Sequence, residues 1–100
     1  MLVISSQRYL NEEIVEQKME ELKGLTSLTI GVIDVEMEDD GEALFLLFDK
    51  HHTYEACKRL GIEVEFEEVE NIFSVTGDEL LMQAHYGDDY YNVITGIGIW

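Results

Sequence analysis

Proline is absent from this 100-residue chain, cysteine occurs once, and only six residues are Lys or Arg. The single Cys57 excludes an intramolecular disulfide and fits a reducing compartment. No apolar run approaches the length of a membrane span, and Met1-Leu2-Val3-Ile4-Ser5-Ser6 lacks the basic region of a signal peptide. A cytoplasmic location without membrane attachment is therefore expected. Proline-rich linkers, low-complexity tracts and internal repeats are also missing, so a single domain over residues 1–100 is expected.

The shortage of cations is most pronounced in one half. From Gly61 to Trp100 there is no Lys or Arg, and the whole chain carries a formal net charge of -16. Affinity for nucleic acid comes largely from Lys and Arg displacing counterions, so direct nucleic-acid binding is disfavoured, as is an anionic membrane. A field of one sign suits a basic partner. It also keeps a protein dispersed, and solubility alone is the plain alternative.

What the sequence does contain is enough apolar material to fold: 46% hydrophobic residues, with 10% aromatic. Leu2-Val3-Ile4 predicts a short strand. Asn11 then caps a helix whose first turn carries Glu12 and Glu13, whose apolar face is Ile14, Val15, Met19 and Leu22, and which Gly24 stops. Leu28 to Met37 and Ala43 to Phe48 predict a hairpin across the acidic tip Glu38-Asp39-Asp40-Gly41-Glu42, with a buried second strand. Asp49 to Thr53 reads as a loop leading into a helix over Tyr54 to Leu60, ended by Gly61. Alternation of Ile62, Val64 and Phe66 with Glu63, Glu65 and Glu67 predicts a strand with one apolar and one carboxylate face. Thr76-Gly77-Asp78-Glu79 has capping-box spacing and predicts a third helix closing near Gly87. Tyr90 to Trp100 is a weaker strand, interrupted by glycines at 96 and 98. The expected class is α+β, with four or five strands and three helices.

Two places concentrate chemistry. The first is Asp49, His51 and His52, at a strand-to-helix junction of the kind that often holds sites. Adjacent histidines do not share a helix face, so this pair predicts no metal, and no cofactor is expected. The second is the carboxylate ladder of Glu63, Glu65, Glu67 and Glu68 with Glu70, to which the hairpin residues Glu38, Asp39 and Asp40 would add if they lie nearby. Strand alternation sets the first three about 6.5–7 Å apart, comparable to phosphates along one nucleic-acid strand. Cys57, in the middle of a short helix, reads as a small buried hydrophobe.

The segment Leu47-Phe48-Asp49-Lys50-His51-His52-Thr53-Tyr54-Glu55-Ala56-Cys57-Lys58-Arg59-Leu60-Gly61-Ile62 resembles the core of ParB-like domains. That superfamily also includes sulfiredoxin-like and free-serine-kinase-like members. It typically shows an apolar strand, Asp-Gly-His-His-Arg or a variant, then an Ala-containing helix ending in Leu-Gly before the next strand. The resemblance covers residues 2–69 in layout and sixteen residues in motif. It implies a ParB/sulfiredoxin-like fold, with Asp49, His51 and His52 at the family's site. Lys50 stands where the family has Gly, and Thr53 where it has the phosphate-contacting Arg, so the bidentate phosphate donor is lost.

The expected function is that of a non-catalytic acidic protein-binding domain. In its sharper form it is a phage or mobile-element inhibitor, of the anti-restriction or anti-CRISPR sort, that mimics nucleic acid and occupies a basic nucleic-acid-binding groove. The alternative is a nucleotide-binding or phosphate-chemistry enzyme using Asp49, His51 and His52. A second alternative is a module that homodimerises through Tyr90, Tyr91 and Trp100.

Overall fold

The computed structural model describes residues 1–87 and 89–99. Among these residues five strands form one mixed sheet: β1 (Leu2–Ser5), β2 (Ser27–Asp39), β3 (Glu42–Leu46), β4 (Glu63–Glu68) and β5 (Tyr91–Asn92), in spatial order β4-β2-β3-β1-β5. Three helices accompany them: α1 (Glu12–Leu22), α2 (His51–Leu60) and α3 (Gly77–Gln83). The fold is α+β, as the patterning predicts.

The continuous apolar run in β3 follows from its place in the sheet. β3 lies between β1, in parallel, and β2, in antiparallel, and both of its faces are covered. Leu44 and Leu46 join Ile4, Ile33, Val35, Leu80 and Leu81 on the α3 side. Phe45 and Leu47 join Val3, Ile30, Val32 and Val93 on the other, where Tyr54 of α2 packs. A strand buried on two faces has no polar positions to alternate with.

β2 spans thirteen residues and serves two partners. Ser27 to Val32 run parallel to Glu63–Glu68 of β4, and Ile33 to Asp39 run antiparallel to β3. A register shift between Asp34 and Glu38 marks a bulge, where Glu36 sits at φ 57 with its N–H on Asp34 Oδ1 at 2.8 Å. Asp40 (φ 52) and Gly41 (φ 82) both take positive φ, which makes the two-residue hairpin turn match the twist of the strands.

Several expectations need correction. α2 starts at His51 and not at Tyr54, because Lys50 adopts the left-handed conformation (φ 71, ψ 25) and turns the chain directly into the helix. Asn11 caps α1 through Glu13 N–H and Ile14 N–H as expected, but only Val15 of the predicted face is buried and Ile14 is exposed. The reason is that α1 packs on α2 and not broadly on the sheet. Thr76 makes no side-chain cap hydrogen bond, so the capping box is not formed, and α3 ends at Gln83. The last strand shrinks to two residues paired with β1, plus a bridge from Tyr91 to Gly98. Among the described residues no helix is long and apolar enough to cross a membrane.

Candidate functional site

Two regions hold the residues singled out above. The first is the corner where the chain leaves β1, enters α1, and returns from β3 into α2. Ser5 is buried at the end of β1, and its Oγ lies 2.7 Å from Nε2 of His51. The same oxygen accepts the Gln7 N–H at 3.1 Å. With the other ring nitrogen donating to the Leu47 backbone, Nε2 of a neutral imidazole is the acceptor of the Ser5 proton. Burial holds the His51 imidazole down at about 4; the Asp49 carboxylate and a hydrogen bond to the Leu47 backbone oppose that shift, and neighbouring His52 adds to it. A neutral ring with its acceptor nitrogen on a serine is the state that such an environment favours.

His52 faces the other way. Its Nε2 accepts the backbone N–H of Asn11 at 3.1 Å, the residue that caps α1. The two adjacent histidines therefore tie α2 to the end of β1 and to the start of α1, one link each. Asp49 closes the turn before them, its Oδ1 accepting the Lys50 N–H at 2.7 Å. Arg59, at the far end of α2, completes the tie between the helices: it grips Glu12 with two N–H groups at 2.7 and 2.8 Å and Glu55 with a third at 2.9 Å. These bonds hold the Arg59 guanidinium protonated and pull the Glu12 carboxyl below its usual value.

Two clefts open on this corner and share Gln7 and His51. One, of about 180 Å³, is bounded by Arg8, Tyr54, Glu55, Lys58 and Tyr91. The other, of about 310 Å³, is bounded by Lys18, Asp49, Lys50, His52, Thr53 and Tyr86. Four of the six cations of the chain thus border the two clefts. Arg8 is stacked 4.0 Å over the Tyr91 ring and donates to Gly96 O at 3.2 Å, while Lys58 pairs with Glu55 at 3.7 Å. No side chain caps the start of α2, whose first residues line the second cleft. Sequence reasoning missed Ser5, Gln7 and Arg8. The one available signal was a polar pair, Ser5-Ser6, directly after three hydrophobes.

Cys57 is a free, fully buried thiol whose deprotonation is resisted by burial, as befits a core residue. Among the described residues no three His, Cys, Asp or Glu side chains converge in a way that could hold a metal. Tyr90 is buried with its hydroxyl donating to Leu81 O, and Tyr91 is half-buried with its hydroxyl on Gln7 O at 2.6 Å. Both hydroxyls of the pair expected, with Trp100, to form a dimerisation surface are engaged within the chain. Trp100 lies outside the described residues.

The second region is β4, at the opposite edge of the sheet from β5. Glu63, Glu65 and Glu67 are exposed and Val64 and Phe66 half-buried, so the predicted register holds while the apolar side is less covered than expected. The cause is the edge position, with a single neighbouring strand. By register Glu63, Glu65 and Glu67 share a face with Ser27, Thr29 and Gly31 of β2. Ser27 and Thr29 are exposed too, because α3 covers only the sheet farther along β2. Glu68 and Glu70 are exposed too, Glu68 by register on the same face as Val64 and Phe66. The hairpin carboxylates of Glu38, Asp39 and Asp40 do not join it: Glu68 is level with Val32, and Glu38 lies six residues beyond Val32, some 20 Å away at strand rise. That is more than two screening lengths at physiological salt. The acidic tip lies farther along β2 than the β4 ladder, with Asp34 and the exposed Glu36 between them. Set against known proteins, no family model, no curated protein and no solved structure matches this chain.

Proposed function

We propose that this chain is a non-catalytic, acidic binding domain whose β4 face docks on a basic groove of a nucleic-acid-binding protein. The observation that carries the reading is the segregation of charge: β4 presents Glu63, Glu65, Glu67 and Glu68 on an uncovered edge, while four of six cations border the clefts of the β1–α1–α2 corner. An even scatter of charge would serve solubility equally well. A one-signed edge on an uncovered face supplies complementarity and steering as well. The histidines support the non-catalytic part, since His51 and His52 both spend Nε2 on holding the corner together.

The test is capture from a cell lysate by the immobilised protein, with elution by duplex DNA as competitor. Nucleic-acid-binding proteins should be retained, should leave on adding DNA or raising salt to roughly 0.5 M, where screening acts within a few ångströms, and should be lost on the triple reversal Glu63→Lys, Glu65→Lys, Glu67→Lys. Retention that survives both salt and the triple reversal would reduce the acidity to a solubility device.

A second reading is favoured by the corner clefts: a small anion, such as a nucleotide phosphate, held by Lys18 and Lys50 at the uncapped start of α2. Asp49, His51 and His52 are the residues that the ParB-like resemblance assigns to that place. Calorimetric titration with ATP and CTP separates the two readings. Micromolar binding abolished by Lys50→Ala would favour the anion site.

A further inference from the structure

We infer that the outer edge of β4 takes up its partner by strand addition, the incoming segment carrying Lys or Arg at alternate positions and apolar residues between them. This rests on the reading of a basic partner given above and adds the manner of binding.

Among the described residues β4 is the last strand of the sheet on its side. Glu63 and Val69 donate their N–H groups to Thr26 O and Val32 O of the neighbouring chain segment. In an evenly spaced parallel ladder that alternation commits the odd-numbered residues to β2, so the N–H and C=O groups of Val64, Phe66 and Glu68 point outward. A segment laid along β4 meets a row of main-chain donors and acceptors.

The side chains of β4 divide the same edge into two unlike faces. Glu63, Glu65 and Glu67 stand on one, all exposed. Val64 and Phe66 stand on the other, half-buried, with the Tyr54 ring 5.6 Å from that of Phe66. Residues of an added strand sit about 5 Å from their opposite numbers. On the first face a cation there neutralises a glutamate, and on the second an apolar side chain finishes covering Val64 and Phe66. Main-chain bonds supply affinity and the alternating faces supply selectivity. The same glutamates oppose a second copy of β4, which would set like charges directly against each other. The edge thus rejects its own kind and admits a basic, alternating strand.

Two short peptides of identical composition test this on the full chain: one alternates lysine with valine, and the other groups its lysines at one end. The alternating peptide should bind at least about tenfold tighter, a difference of about 1.4 kcal/mol. Glu68→Pro removes an outward N–H that β2 does not use, and should weaken binding roughly three- to tenfold beyond the charge-matched Glu68→Gln. N-methylating the amides of the alternating peptide that face β4 should do the same without altering the protein. Equal binding of the two isomers, indifferent to N-methylation, overturns strand addition and leaves the charge reading standing. Failure of both peptides to bind overturns both.

Discussion

The β1–α1–α2 corner and the β4 edge are built by opposite means. At the corner the polar groups that join its elements have partners inside the chain: Ser5 with His51, Asn11 with His52, Arg59 with Glu12 and Glu55. At the edge the polar groups point to water and only Val64 and Phe66 pack, and those incompletely. A group with an internal partner is held in place, and removing it leaves the partner unsatisfied. A group facing water costs little to change. The corner therefore answers to stability and the edge to binding, and substitutions should sort accordingly.

The largest expected effect is the acid response of the corner. Above about pH 6.5 His51 is neutral in both folded and unfolded chains and contributes no pH dependence. Between 6.5 and its folded value of about 4, the unfolded chain takes a proton that the folded chain refuses, so stability falls as acid is added. The full loss is about 3 kcal/mol, reached below pH 4. Urea melts of the protein and of His51→Gln from pH 7 to 4 should diverge by that sign. Parallel curves would show that the imidazole does not titrate against folding.

Next is Gly31, on β2 opposite Glu67 of β4. A Cβ there would meet Val69 Cγ1 at 2.8 Å. Gly31→Ala should cost about 1–2 kcal/mol in thermal unfolding, and Val69→Ala should relieve much of it in the double variant. If the costs simply add, Val69 is not what the new methyl strikes. Smaller again is the cap of α1: Asn11→Ala should lose about 1 kcal/mol and Asn11→Asp much less, read from the same melts. The smallest effect belongs to the edge, where Glu65→Lys should change stability by no more than about 0.5 kcal/mol. A larger loss would mean that β4 is folded against something that its exposure does not reveal.

Much of the fold was legible because it depends on local pattern. Alternation in Glu63 to Phe66 gave the right face of β4, Asn11 gave the right start of α1, and Gly61 supplied the left-handed end of α2 at φ 73. Misreadings came where a distant neighbour decides. No local rule says that α1 leans on α2 and leaves Ile14 exposed, or that Thr76 turns away from its cap. Left-handed Lys50 hid the start of α2, because a lysine carries no turn signal. The partners of His51 and His52 lie 46 and 41 residues away in sequence, so their roles depend on sheet order. For the acidic residues, exposure could be anticipated from alternation, whereas the separation of the hairpin tip from the β4 ladder required the length of β2.

The parallel pairing of β1 with β3 has a consequence for how the chain reaches this state. Leu2, Val3 and Ile4 align with Leu44, Phe45 and Leu46, so β1 waits for a partner some forty residues later, past a helix and a long strand. The β2–β3 hairpin, joined by two residues, closes first because its loop is short, and β1 must then insert beside β3 at a larger loss of loop entropy. During synthesis Val3 and Ile4 remain uncovered until residue 46 has emerged. That interval is when this otherwise highly charged chain is most open to a chaperone.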